Sequence, residues 1–255
     1  SGRTQGRILT ILVDHLTRRF GSHEAVSSLR FDVQSGSIFG LLGANGAGKT
    51  TTLRMLATLL QPSSGTARVG GHSILESPLE VRRSLGYLTG DTGLYGRLTP
   101  LETLRYFGGL YGMKKAELEE RISWLTNGLS LSPFLEQRCE RLSTGQRQRV
   151  SIARALIHDP RVIVFDEPTS GLDIISSQFI LDVLREEREK GKTVLFSTHI
   201  LAEAELICDV IGVLHQGEML SIGSPEETME RWKATSLTRA LLNASTMVQV
   251  EGGVP

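Results

Sequence analysis

The chain has 255 residues, 40% hydrophobic and 22% charged, with 28 Lys plus Arg balanced by 28 Asp plus Glu. That is an ordinary globular composition, long enough for one large domain or two small ones with a substantial core. The zero net charge argues against a dedicated nucleic-acid binder, and no run reaches the roughly 18 apolar residues that cross a bilayer. No secretory signal opens the chain, and Cys139 and Cys208 fit neither a metal motif nor a disulfide framework. A soluble protein of the reducing cytosol is expected.

Residues 1–7 read as a disordered end or an expression scar. Ile8 to Leu16 and Leu29 to Val33 alternate apolar and polar residues, the period of half-buried strands. With Thr66 to Val69, and with turns at Gly21, Gly36 and Pro62–Gly65, they predict a small antiparallel sheet. Ile38 to Leu42 is an apolar strand that runs directly into a glycine-rich loop. Residues 78–157 have helical character. Thr99-Pro100 opens an amphipathic segment over Leu101–Phe107, and Leu118, Ile122 and Leu125 share one helical face. Arg161–Phe165 and Thr193–Ser197 read as buried parallel strands joined by a helix over Ser176–Lys190. Val210–His215, a Gln216-Gly217 turn and Met219–Ile222 follow, then a helix from Pro225 and a polar end.

The loop Gly43-Ala44-Asn45-Gly46-Ala47-Gly48-Lys49-Thr50-Thr51 has the phosphate-binding P-loop pattern, between a strand and the helix through Leu53–Ala57. A polyphosphate needs several N–H donors close together, and glycines let the backbone wrap that tightly. The helix that follows points its positive end at the phosphates. Lys49 supplies charge to the β- and γ-phosphates, and Thr50 a hydroxyl for Mg²⁺.

A second helix start, Leu142-Ser143-Thr144-Gly145-Gln146, also suits an anion. Val162-Ile163-Val164-Phe165 then ends in Asp166 and Glu167, at the strand edge where α/β proteins bind ligands. Asp166 can hold Mg²⁺ through water, and Glu167 can polarise a water for attack. Ser170-Gly171-Leu172-Asp173 follows. Ser197-Thr198-His199 comes one βαβ unit later, bringing His199 to the same sheet edge, where it can donate to a γ-phosphate.

This order of P-loop, signature loop, acid pair, Asp173 loop and histidine loop resembles the nucleotide-binding subunit of an ABC transporter over about residues 8–235. Tyr106–Met113 and Ile157-His158-Asp159-Pro160 are similar to the exporter branch that includes sodium-efflux and drug-efflux ATPases. The resemblance implies an α/β fold: a P-loop NTPase (RecA-like) core with a parallel sheet, an N-terminal antiparallel β-subdomain and a helical signature subdomain over about 91–159. Residues 236–255 would form a tail. It implies ATP hydrolysis with ATP and Mg²⁺, and a head-to-tail homodimer with two ATPs between the copies. Gly43, Asn45, Gly46, Gly48, Lys49, Thr50 and Thr51 would bind one nucleotide, with Phe20 stacked on adenine. Ser143, Gly145, Gln146 and Asp173 would reach it from the second copy. Glu167 and His199 would be catalytic, and Thr50 and Asp166 would hold the metal. The helical subdomain would dock on a separate transmembrane permease subunit, placing the chain on the cytoplasmic face of the cell membrane with no nucleic acid involved.

Two positions depart from the family's pattern. The family usually carries Gln or Glu after the segment Gly86-Tyr87-Leu88-Thr89, where this chain has Gly90, and Asp91 is expected to take over its contact with Mg²⁺. Thr144 replaces the usual signature glycine, while Ser143 and Gly145 remain. Two other classes stay open on sequence alone. A soluble mechanochemical ATPase of cofactor assembly, translation or DNA repair shares the cassette, although this chain has one cassette and no coiled-coil or zinc insertion. A P-loop kinase would need neither the signature nor the histidine segment.

Overall fold

A computed structural model describes residues 8–89, 93–241 and 243. Strands β1 (Leu9–Phe20) and β2 (His23–Gln34) form a hairpin, followed by β3 (Ile38–Leu42) and helix α1 (Lys49–Leu56). Next come β4 (Ser64–Val69), β5 (His72–Ser73), α2 (Pro78–Ser84) and β6 (Leu85–Leu88). Helices α3 (Pro100–Leu110), α4 (Lys115–Gly128) and α5 (Thr144–Leu156) lead into β7 (Val162–Asp166), α6 (Ile174–Glu189) and β8 (Thr193–Thr198). Helix α7 (Leu201–Ile207), strands β9 (Val210–His215) and β10 (Glu218–Gly223) and helix α8 (Pro225–Arg231) complete the series.

One sheet is antiparallel, in the order β2-β1-β4-β5; the other runs β10-β9-β3-β8-β7-β6. In the second sheet β9, β3, β8, β7 and β6 are parallel and β10 is antiparallel at the edge. The antiparallel hairpin and parallel core match the expected α/β architecture. One segment differs from the sequence reading: Leu85–Leu88, inside the span with helical character, is an edge strand paired with Val162–Phe165. Four residues are too few to show a period, and what makes them a strand is the partner beside them.

Both faces of the parallel sheet are covered, which explains its unbroken apolar runs. Alternate side chains go to different cores. Ile163, Phe165, Val194 and Phe196 pack with α3–α6 residues such as Leu104, Leu125, Val150 and Leu184. Val162, Val164 and Leu195 pack with α1 and the antiparallel sheet through Leu53, Met55, Leu16 and Phe31. A third, small core joins Leu42 to Ala204, Ile211 and Leu237, so the chain beyond α8 folds back behind the strand that feeds the P-loop.

The helices of the first core are pinned to β6 by His158. Its ring stacks on Tyr111 at the end of α3, with centroids 3.7 Å apart and planes 5° from parallel. Nε2–H donates to the Leu85 carbonyl at 3.1 Å. Burial pushes the imidazole down from 6.5 to about 4, against a smaller upward pull from that hydrogen bond. The folded state therefore holds a neutral ring where the unfolded chain binds a proton. Stability present above pH 6.5 is lost as pH falls to about 4, by about 3 kcal/mol. Urea denaturation of wild type and His158→Phe across this window should show the wild type losing that extra stability. Parallel curves for the two proteins would remove His158 as the source.

Candidate active site

Strand β3, buried at every residue, delivers the chain to the P-loop. Gly48 has φ of 105°, and a Cβ there would lie 2.6 Å from the Ala25 carbonyl oxygen. Only glycine fits this close approach of loop and hairpin. Helix α1 begins at Lys49, which is 4% exposed. Its ammonium donates back to the carbonyls of Gly43 at 2.8 Å and Ala44 at 3.2 Å, and lies 3.3 Å from Glu167 Oε1. A cleft of about 500 Å³ brings together Phe20, Asn45, Gly46, Gly48, Lys49, Thr50 and Thr51 with Glu167, and Gly43 adjoins it at the end of β3.

The acid pair reaches this edge of the sheet through strand register. Leu42 pairs with Thr198, and Asp166 pairs with Ser197, so β3, β7 and β8 end side by side. The P-loop, Glu167 and His199 are the next residues out. Asp166 is buried and accepts from Ser197 Oγ at 2.5 Å. Glu167 has φ of 47°, uncommon for a residue with a side chain. It also precedes Pro168, which narrows its backbone further. Ser197 holds this conformation, since the Glu167 N–H donates to both its carbonyl and its hydroxyl at 3.1 Å. Backbone held in a sparse region by its surroundings is a mark of a functional position. The Glu167 carboxylate thus stands between the Lys49 ammonium and the His199 ring, with Oε2 3.2 Å from His199 Nδ1.

A smaller cleft of about 310 Å³ joins Thr50, Asp166 and Glu167 to Gln148 and Ser170. One hydroxyl and one carboxylate suit Mg²⁺, which keeps its waters and takes substrate phosphates as further ligands. Among the described residues no group of three His, Cys, Asp or Glu forms a dedicated metal cage. Asp91 lies outside the described residues.

Ser143, Gly145, Gln146 and Asp173 do not join the P-loop cleft. They line a separate one of about 520 Å³ with Thr144, Arg149 and Ser176. Ser143 and Gln146 cap α5 reciprocally: the Gln146 N–H donates to Ser143 Oγ at 3.2 Å, and the Ser143 N–H donates to Gln146 Oε1 at 2.9 Å. Asp173 caps α6, and the Ser176 N–H on its carboxylate holds it below the usual carboxylate range. Immediately beyond it Ile174 and Ile175 are 88% and 80% exposed.

Sequence reading missed several supporting residues. Ser197 and Thr198 were visible as polar residues ending an apolar strand, but their partners were not. Gln148 Nε2 donates to the Pro168 carbonyl at 2.6 Å, linking the signature helix to the acid loop.

The family model described as "ABC transporter" matches residues 26–170. This chain belongs to that family. The ABC transporter ATP-binding protein NatA of Bacillus subtilis (strain 168) is 41% identical over 232 residues, covering 89% of this chain and 94% of NatA. The probable multidrug ABC transporter ATP-binding protein YbhF of Escherichia coli (strain K12) is 39% identical over 212 residues, 83% of this chain and 36% of YbhF. A solved structure described as the ATP binding subunit of an ABC transporter superposes with a TM-score of 0.85 at 30% identity, covering 92% of this chain and 99% of that one. The chain is thus an ATP-binding subunit of the ABC transporter kind, an ATPase of a family that hydrolyses ATP to power transport. No helix among the described residues of this ABC subunit is long and apolar enough to cross a membrane.

The histidine loop of the ABC subunit hangs on one buried hydroxyl. Thr198 Oγ1 donates to Glu203 Oε2 at 2.8 Å and accepts from the Ile200 N–H at 3.0 Å. Thr198→Val leaves a buried carboxylate and an amide unpaired and should cost about 2 kcal/mol. It should lower ATP turnover more than ATP binding, while Thr198→Ser keeps both. Urea titration and single-turnover hydrolysis read the two effects, and a Val variant with wild-type stability and turnover would contradict them.

Proposed function

We propose that this chain is the motor subunit of an ABC exporter, working as a head-to-tail homodimer on a separate membrane subunit. The observation that carries this reading is the division of the site. The P-loop cleft and the signature cleft have no residue in common, and each would present half of a polyphosphate site. Two copies related by a two-fold axis would complete two sites at once. Ile174 and Ile175, exposed beside Asp173, fit an apolar contact in such a dimer. Export is supported by relatives such as the multidrug protein YbhF and the Nod factor export ATP-binding protein I of Cupriavidus metallidurans (strain CH34), 38% identical over 216 residues.

The P-loop amides and the start of α1 bind the β- and γ-phosphates, and the phosphates draw Lys49 away from Glu167. Freed from Lys49, Glu167 polarises the attacking water. His199, whose Nδ1 lies 3.2 Å from the other Glu167 oxygen, would steady the γ-phosphate by a hydrogen bond. Thr50 and Asp166 would hold Mg²⁺, which offsets charge on the phosphates when bound. Ser143 and Gly145 of the second copy close over the γ-phosphate. After hydrolysis the halves separate and the membrane subunit resets.

The membrane partner would dock on a groove of about 430 Å³ between the core and the helices, lined by Tyr87, Tyr95, Phe107, Tyr111 and Arg154. Tyrosine rings, apolar with one polar end, beside the apolar Phe107 suit the short amphipathic segment of a membrane protein. The chain would then lie peripherally on the cytoplasmic face.

Mixing two defective chains tests the composite site. Lys49→Ala removes the P-loop charge, and Ser143→Arg blocks the signature. Each alone should be inactive. Together they form mixed dimers with one intact site, so ATPase activity should return. A mixture as dead as its components would defeat the head-to-tail dimer. Glu167→Gln with ATP and Mg²⁺ should also elute as a dimer. Co-purification of that variant with a multi-helix membrane protein separates the transporter motor from a soluble mechanochemical ATPase.

A further inference from the structure

We propose that Arg18 is a positioning residue for the nucleobase: its guanidinium backs one face of the Phe20 ring and leaves the opposite face as the seat for a stacked purine. This rests on the reading of Phe20 as the base-stacking residue.

Phe20 ends β1 at the tip of the hairpin, paired with His23, and is 47% exposed. It lines the same cleft as the P-loop. A half-exposed ring at a hairpin tip has little core packing to fix its rotamer, so a stacking seat there needs a backing. Arg18 provides it. Two residues back on the same strand, its side chain leaves the same face as Phe20. Its guanidinium carbon sits 4.6 Å from the ring centroid, within cation–π range.

Arg18 is itself anchored. Nη1 donates to the Gln61 carbonyl at 2.8 Å, just beyond the helix that the P-loop opens. The neighbouring strands are stitched at the same point, where the Arg19 N–H donates to Ser63 Oγ at 3.0 Å and the Ser63 N–H donates to the Thr17 carbonyl at 2.8 Å. The nearby carboxylate of Glu24 is taken by Arg19, with Nε 2.5 Å from Oε2. Arg18 Nε is buried with no hydrogen-bond partner among the described residues, so the guanidinium is held by one edge and by its face. One hydrogen bond thus ties the base seat to the connection between the phosphate helix and β4.

The chemistry favours a purine on the free face. A cation behind the ring draws π density away from the other side, which weakens repulsion between that side and the π cloud of a stacked base. Phenylalanine has no hydroxyl to read a base edge, so this seat recognises a flat aromatic surface.

Titration calorimetry of the full chain with ATP and with inorganic tripolyphosphate tests the proposal, because tripolyphosphate shares the P-loop contacts and lacks the base. Arg18→Met should weaken ATP binding roughly two- to fivefold and leave tripolyphosphate binding unchanged. Phe20→Ala should do the same more strongly, and Arg18→Met should add nothing in the Phe20→Ala background. If Phe20→Ala weakens ATP but Arg18→Met does not, or if Arg18→Met weakens both ligands alike, Arg18 has no role in placing the base. If Phe20→Ala leaves ATP binding intact, the base sits elsewhere and the reading of Phe20 falls, taking the proposal with it.

Discussion

Strand register in a sheet buried on both faces is the constraint from which the rest of this molecule follows. Because side chains of β7 and β8 must alternate between two dry cores, neither strand can slip by one residue without turning its apolar set around. That fixes where each strand ends. With Leu42 beside Thr198 and Asp166 beside Ser197, three loops with different chemistry emerge at one edge within reach of each other. The placement of Lys49, Glu167 and His199 is thus set by packing well behind them.

Ser197 shows how tightly the packing and the chemistry are joined. It sits in the last turn of the pleat, yet its hydroxyl serves Asp166 and its carbonyl and hydroxyl hold the left-handed backbone of Glu167. The two acids, adjacent in sequence, are given different surroundings by one neighbour. Asp166 is buried, while Glu167 faces the cleft between Lys49 and His199. Two environments for two like residues follow from the strand ending between them.

Much of this was legible in the sequence because the informative segments are local. An apolar run ending in glycines, another ending in two acids and a third ending in Ser-Thr-His each carry their own boundary, and a parallel sheet brings such ends together. What was not legible depends on distant partners. Leu85–Leu88 is a strand only because Val162–Phe165 lies beside it. The stack of His158 on Tyr111 and the support of Thr198 by Glu203 join groups that no periodicity connects. The separation of the two clefts was anticipated only through the family resemblance, since the order of motifs along a chain does not by itself say which face each will occupy.

The reciprocal cap of α5 has a bearing on how such a machine lets go. Ser143 and Gln146 already satisfy each other in a single copy, just as Lys49 already rests on its own loop carbonyls and Glu167. In the proposed dimer, closing over a nucleotide exchanges one satisfied set of bonds for another instead of filling a void. In such a dimer the open halves would keep internal partners of their own, and each would have a ready place to fall back to once the terminal phosphate left. Reversibility, which a cyclic engine would need as much as grip, would then follow from the bonds these groups already make within one copy.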